Sequence, residues 1–303
     1  QTIFNDYWNK TDKRVLIGLS PNHHQSSLRE YALAIGSAVI WLDPNKPLES
    51  LLLNQFLASM PKGANYLGWW PEEQPGVTRV SNYGFTTIPS DYCTNLTYHS
   101  GMPRYIDARP MPPKPELENK IYVAFIISDG DNLQYIEHRM RAFWNDRNRG
   151  SVPIGWTISP AMVDAMPGAL NFFHQTATDN DNLISGPSGY GYTYPNNWVT
   201  HSLSSELADF VKKLEEYNQT AGIRVVTIWN TITGGINVNV GNIFAANSHT
   251  LLGVTAQNTG GPLSIYGSGR DPNVNQLPGK PLTCNYCTGE QAMKDHIISG
   301  SSG

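Results

Sequence analysis

The 303 residues carry a net charge of −4, with 40% hydrophobic and only 15% charged side chains. That mild acidity and the lack of any basic run argue against a nucleic-acid partner. No apolar stretch approaches the roughly 18 residues of a membrane span, and an aromatic content of 11% beside so little charge suits contact with neutral sugars.

Short apolar, β-branched runs alternate with helical stretches along the chain. After a lead-in over residues 1–13, residues 15–19 predict a strand and 28–35 a helix. A strand at 38–42, a helix at 48–60 and a strand at 66–70 follow, with a short β-like run at 86–88. Further strands are predicted at 121–127, 154–158, 183–185, 223–229 and 251–256. Leu133, Ile136, Met140 and Phe143 form a stripe of helical period, as do Leu207, Phe210, Val211, Leu214 and Tyr217. Strands alternating with helices predict parallel β-α units, and their number favours one irregular, TIM-like (β/α) barrel over residues 14–259. A doubly wound open sheet is the second reading. The proline-rich run 110–115 reads as a stiff crossover inside that domain, and 260–303 as irregular C-terminal coil.

In such folds the loops after the strands share one mouth. Nearly every predicted strand here is followed by polar or aromatic residues, and Ser128-Asp129-Gly130-Asp131-Asn132 is the sharpest case. Glycosidic hydrolysis needs one carboxylic acid to protonate the leaving oxygen and one carboxylate to attack or to activate water. Asp129 is the first candidate, with Asp131 and Glu73 competing as partner and Glu72, Asp43 and Asp91 behind them. Asp131 also stands where a helix N-cap would, with Gln134 completing a capping box.

Residues 186–198 place three tyrosines and a tryptophan on a backbone of glycine and proline, a composition for a loop that presents aromatic groups. Tyr192, Tyr194 and Trp198 are expected to line a sugar, with Asn230, Asn258 and His23 offering hydrogen bonds. The competing reading has Tyr192 and Tyr194 filling a small core with bonded hydroxyls. Trp69, Trp156 and Trp229 are further platform candidates, each more readily explained as core.

Gly189-Tyr190-Gly191-Tyr192-Thr193-Tyr194-Pro195 fits G-x-G-Y-x-Y-P at every fixed position, and the chain resembles the GxGYxYP family. The phrases at 67–70, 90–91, 95–101, 128–132 and 155–160 look like the same family's conserved region, so the resemblance spans residues 14–260. It implies a glycoside hydrolase with a barrel-like catalytic domain, here without the smaller domain that often precedes it. It supplies no catalytic assignment.

Asn9, Asn95 and Asn218 head Asn-x-Thr sequons, and Gln1 suits a chain from which a signal peptide has been removed, so a secreted glycoprotein is expected. Three cysteines, Cys93, Cys284 and Cys287, permit one disulfide and a leftover thiol. No metal site and no cofactor are expected; carbohydrate is the expected partner. The alternative function is a non-catalytic extracellular scaffold that binds carbohydrate, itself or another extracellular protein. A metal-dependent deacetylase, with Asp129 and His23 or His24 around an ion, is the third reading.

Overall fold

The computed structural model describes residues 2–256 apart from 23–26, 114–115, 117, 120–123, 199–202 and 232–236. His23, His24, Asn258, Cys284, Cys287 and the 260–303 segment therefore lie outside the described residues.

Four strands, β1 (Val15–Gly18), β2 (Ala38–Ile40), β3 (Asn65–Gly68) and β4 (Thr86–Pro89), form a parallel sheet in the order 2-1-3-4. Five more, β5 (Phe125–Ile127), β6 (Ile154–Ile158), β7 (Asp181–Ser185), β8 (Val225–Ile228) and β9 (Gly253–Ala256), form a second parallel sheet in sequential order. Around the first sheet lie α1 (Thr2–Tyr7), α2 (Arg29–Ala34), α3 (Pro47–Ala58), α4 (Glu73–Asn82) and α5 (Leu96–Ser100). The second sheet carries a π-helical turn (Tyr135–Met140) leading into α6 (Arg141–Trp144), then α7 (Met162–Ala165), α8 (Pro167–Thr176), α9 (Leu203–Ala221) and α10 (Val238–Asn247).

The chain is thus α/β with parallel sheets, as its alternating pattern predicts. A closed barrel in sequential order would place β2 between β1 and β3; instead β1 lies between β2 and β3. The reason is visible in where the helices pack. The β1-α2-β2 connection runs one way across the sheet, and β2-α3-β3-α4-β4 runs back. Right-handed crossovers in opposite directions put helices on opposite faces. Ala32 of α2 joins one core, while Leu53, Phe56 and Leu57 of α3 and Val77 and Val80 of α4 join another. The strands alternate to match: Leu16 and Tyr66 face the second core, and Ile17, Leu67 and Ile88 the first. The first half follows the doubly wound pattern, and the second resembles half a barrel.

One core joins the halves, since Ile17, Leu67 and Ile88 share it with Trp156, Ile158, Val226 and Ile228. The lead-in belongs to the other core, where Trp8 is 2% exposed and packs edge-on against Phe56. Between the sheets runs an isolated antiparallel bridge, Thr87 with Tyr192, closed by hydrogen bonds of 2.9 and 2.7 Å. The tyrosine loop is therefore the seam between them.

The helical stripe after Asp131 differs from expectation at its end. Leu133, Ile136 and Met140 are buried, but Trp144 takes the place of Phe143, which is 41% exposed. A π-turn holds more residues per turn than an α-turn, so the buried face arrives one residue late.

Candidate active site

Residues 128–132 leave β5 and turn sharply into the following helix. Gly130 N–H donates to Thr157 Oγ1 at 3.0 Å, and that hydroxyl donates to the Ile127 carbonyl at 2.5 Å. A Cβ on Gly130 would lie 1.9 Å from the Thr157 carbonyl oxygen, so only glycine fits against β6. The clamp leaves Asp129 in the left-handed region at φ 72°, a conformation that aspartate adopts more readily than most residues.

The capping assignment is corrected by one residue. Asn132, not Asp131, accepts the backbone N–H of Tyr135, at 3.0 Å. Gln134 forms no capping box; its amide donates to Asp91 at 2.9 Å and accepts from Tyr92 N–H at 3.2 Å. These bonds tie the end of β4 to the Asp129 turn, and they leave the Asp131 carboxyl for another use. Asp43, a reserve candidate, accepts the N–H of Asn45 in a local turn.

Glu73 begins α4, where the helix dipole favours a negative charge. Tyr192 Oη donates to Glu73 Oε1 at 2.8 Å and lies 3.0 Å from Tyr194 Oη. With the Tyr192 proton given to Glu73, the Tyr194 hydroxyl donates to Tyr192. The loop beneath is fixed along its length. Gly191 presses on Thr86, Ser81 Oγ lies 2.8 Å from Thr193 Oγ1, and Tyr194 N–H donates to Ser81 at 3.0 Å. Nothing in a one-dimensional reading pairs Ser81 with Thr193, 112 residues apart.

The electrostatics unite the three carboxyls. Asp131 is 6% exposed, and desolvation first, then the Asp129 charge, drives its pKa well above the carboxylate range. Its own backbone N–H opposes that rise, and Glu73 adds to it. Asp131 thus feels both of the other acids. Asp129 reaches solvent, yet the protein around it also pushes its pKa up, with the Ser128 hydroxyl pulling the other way. Burial raises the pKa of Tyr192 and Tyr194, so both remain neutral hydrogen-bond donors.

Asp129, Asp131, Glu73, Tyr192 and Tyr194 are therefore brought together, although they come from both halves of the chain. The sugar-lining expectation is corrected for several groups. Tyr192 and Tyr194 are 3% and 1% exposed, so no pyranose can lie on their rings; the Tyr192 hydroxyl holds Glu73 and Tyr194 holds Tyr192. Trp198 is 3% exposed, 4.6 Å from Phe210 in the core, and Trp156 is likewise buried. Asn230 is fully buried and presents nothing to a ligand. Trp69 and Trp229, by contrast, are half-buried and each packs against the Tyr192 ring.

Among the other candidates, Asn9 and Asn95 are exposed. Asn218 is fully buried, so its sequon cannot carry a glycan in the folded chain. Cys93, the thiol among the described residues, is buried, and burial pushes its pKa up. Among the described residues no group of three or more His, Cys, Asp or Glu is arranged to hold a metal ion. No helix among them is long and apolar enough to cross a membrane.

A structure described as a putative hydrolase from Bacteroides thetaiotaomicron superposes with a TM-score of 0.81 at 23% identity. The alignment covers 98% of this chain and 58% of that one, so the chain spans little more than half that protein's length, and the likeness is one of fold. No curated protein matches the sequence. Residues 119–260 match the model described as "GxGYxYP putative glycoside hydrolase C-terminal domain". Residues 13–101 match the "GxGYxYP third domain", so the likeness extends beyond the C-terminal unit. These two matches, with the motif itself forming the seam between the sheets, show that the chain belongs to the GxGYxYP family.

Proposed function

We propose that the chain hydrolyses glycosidic bonds, with Asp129 and Glu73 as the working carboxyls. The observation that carries this reading is that Asp129 and Asp131, two residues apart after β5, share electrostatic reach with Glu73 at the start of α4. Asp129 reaches solvent and holds its proton more tightly than an ordinary aspartate, which suits a general acid for the leaving oxygen. Glu73 is half-buried, held by the Tyr192 hydroxyl and seated at a helix N-terminus, which suits a carboxylate that attacks the sugar or activates water. Asp131, behind them, is the third member of a coupled set. Its proton keeps a third negative charge out of a desolvated pocket.

The family description supports the reading. An extracellular setting is part of the proposal, supported by the exposed sequons at Asn9 and Asn95. The test is hydrolysis of a panel of neutral polysaccharides by the wild type and by Asp129→Asn. Release of reducing sugar by the wild type, with a loss of about 10²-fold or more in the variant, is expected. Equal rates in the two proteins would remove Asp129 from the mechanism.

A further inference from the structure

Resting on the hydrolase reading, we infer that Trp69 and Trp229 are the two platforms on which the substrate lies, and that their geometry selects a kinked glycan over a flat one. Around Glu73 the aromatic rings fall into two groups. Tyr66, Trp70, Tyr192 and Tyr194 are each at most 3% exposed. Trp69 and Trp229 are only half-buried.

Their placement is suited to a saccharide. Trp69 directly follows Gly68, the last residue of β3, and Trp229 directly follows Ile228, the last residue of β8. One follows a strand of each sheet, and both pack against the ring of Tyr192, whose hydroxyl holds Glu73. The centroid of Trp69 lies 6.5 Å from that ring and the centroid of Trp229 lies 6.0 Å from it. Sugars on the two indoles would therefore both lie near the Glu73 carboxylate, as the units about a scissile bond must.

The angles add the selectivity. Trp69 lies within 16° of the Tyr192 plane, and Trp229 stands at 86° to it. The two indole planes are therefore turned from one another by about 70° or more. A β-1,4-linked glucan is a flat ribbon whose successive rings share one plane, so it can lie on only one of these faces at a time. A glycan whose linkage turns each ring against the last, such as an α-linked chain, can cover both. Stacking uses the apolar C–H faces of neutral pyranoses and requires no cation, in keeping with a site rich in carboxyls.

The test is calorimetric titration of the whole chain, as wild type and as Trp69→Ala, Trp229→Ala, Trp69→Phe and Trp229→Phe. The probes are maltopentaose and an α-1,6-linked mannopentaose as kinked glycans, and cellopentaose as the flat one. Binding of a kinked pentasaccharide at least tenfold tighter than cellopentaose is expected. Each alanine variant should weaken it by roughly tenfold or more, the size of effect a buried tryptophan contact gives, and each phenylalanine variant by less. The phenylalanine variants keep a ring in the core, so they remain informative if an alanine variant does not fold. Unchanged binding in all variants would overturn the platform assignment while leaving a carbohydrate site in place, and so would equal affinity for cellopentaose. Failure of the wild type to bind any probe would overturn this inference, and a wild type that also hydrolyses nothing would overturn the hydrolase reading.

Discussion

Replacing Tyr192 by phenylalanine removes one oxygen and leaves the ring packed against Trp69, Trp229 and Tyr194. Two hydrogen bonds disappear with it, the 2.8 Å donation to Glu73 and the 3.0 Å contact with Tyr194. A buried bond to a carboxylate contributes roughly 1.5–3 kcal/mol and a neutral one about 1 kcal/mol. Leaving the smaller group in the pocket recovers the hydroxyl's desolvation cost, which offsets part of the sum. A net loss of about 2 kcal/mol is expected, and in a chain of this size that lowers Tm by roughly 3 °C. Urea and thermal unfolding at pH 7 would measure it, beside Tyr194→Phe, which gives up only the neutral bond and should cost about half as much. The two losses should not add, because the double variant breaks the shared bond once. A change below about 0.5 kcal/mol in Tyr192→Phe would refute the argument that this hydroxyl secures Glu73.

Three further outcomes follow from the same structure. Asp131 has a raised folded-state pKa, so the native state holds a proton that the unfolded chain releases above about pH 4. Its contribution is therefore favourable at low pH and is lost as pH rises through the raised value. Asp131→Asn should then have a higher Tm than the wild type at pH 7–8, with the gap closing near pH 4. Identical Tm profiles would contradict this. Gly130→Ala should cost about 3 kcal/mol in urea unfolding, because its Cβ would meet backbone rather than a movable side chain; a neutral result would deny the clamp between Gly130 and Thr157. His174 is 4% exposed, and desolvation lowers its pKa, with Arg109 assisting and the Ala221 carbonyl and Asp107 opposing. The unfolded chain takes up that proton first, so wild-type stability should fall as pH drops below about 6.5, the ordinary histidine value. His174→Gln should flatten that slope, measured as the urea midpoint between pH 7.5 and 5; an unchanged slope would exclude His174 as its source.

Much of the scaffold is legible in the residues because each strand is a short apolar run that ends in turn chemistry. Strand register and helix faces then follow from period. Strand order does not. Nothing local in residues 38–58 announces that β2 sits outside β1, since that order is set by which face each helix covers. The helix at Glu73–Asn82 is concealed because Pro75 and Gly76 read as a loop. Proline is tolerated in a first helical turn, and Gly76 is required because Trp70 lies 2.2 Å from where its Cβ would be. At the candidate site, composition misreads how the motif's tyrosines are presented. Its tyrosines read as sugar platforms by composition, but tertiary packing buries their faces and leaves only their hydroxyls to act. The carboxyls are proposed from their positions after the strands, and Asp131 lies within electrostatic reach of both Asp129 and Glu73. The raised proton affinity of Asp129 and Asp131 depends on burial, which no spacing reveals. The off-by-one cap at Asn132 likewise decides whether Asp131 is occupied or available.

The most direct test of the central claim is chemical rescue at Glu73. Glu73→Ala removes the carboxylate while Asp129 remains. On the polysaccharide that the wild type cleaves, hydrolysis should fall by several orders of magnitude, and added azide or formate should restore part of it by occupying the vacated position. Full activity in Glu73→Ala without any added anion would contradict the account.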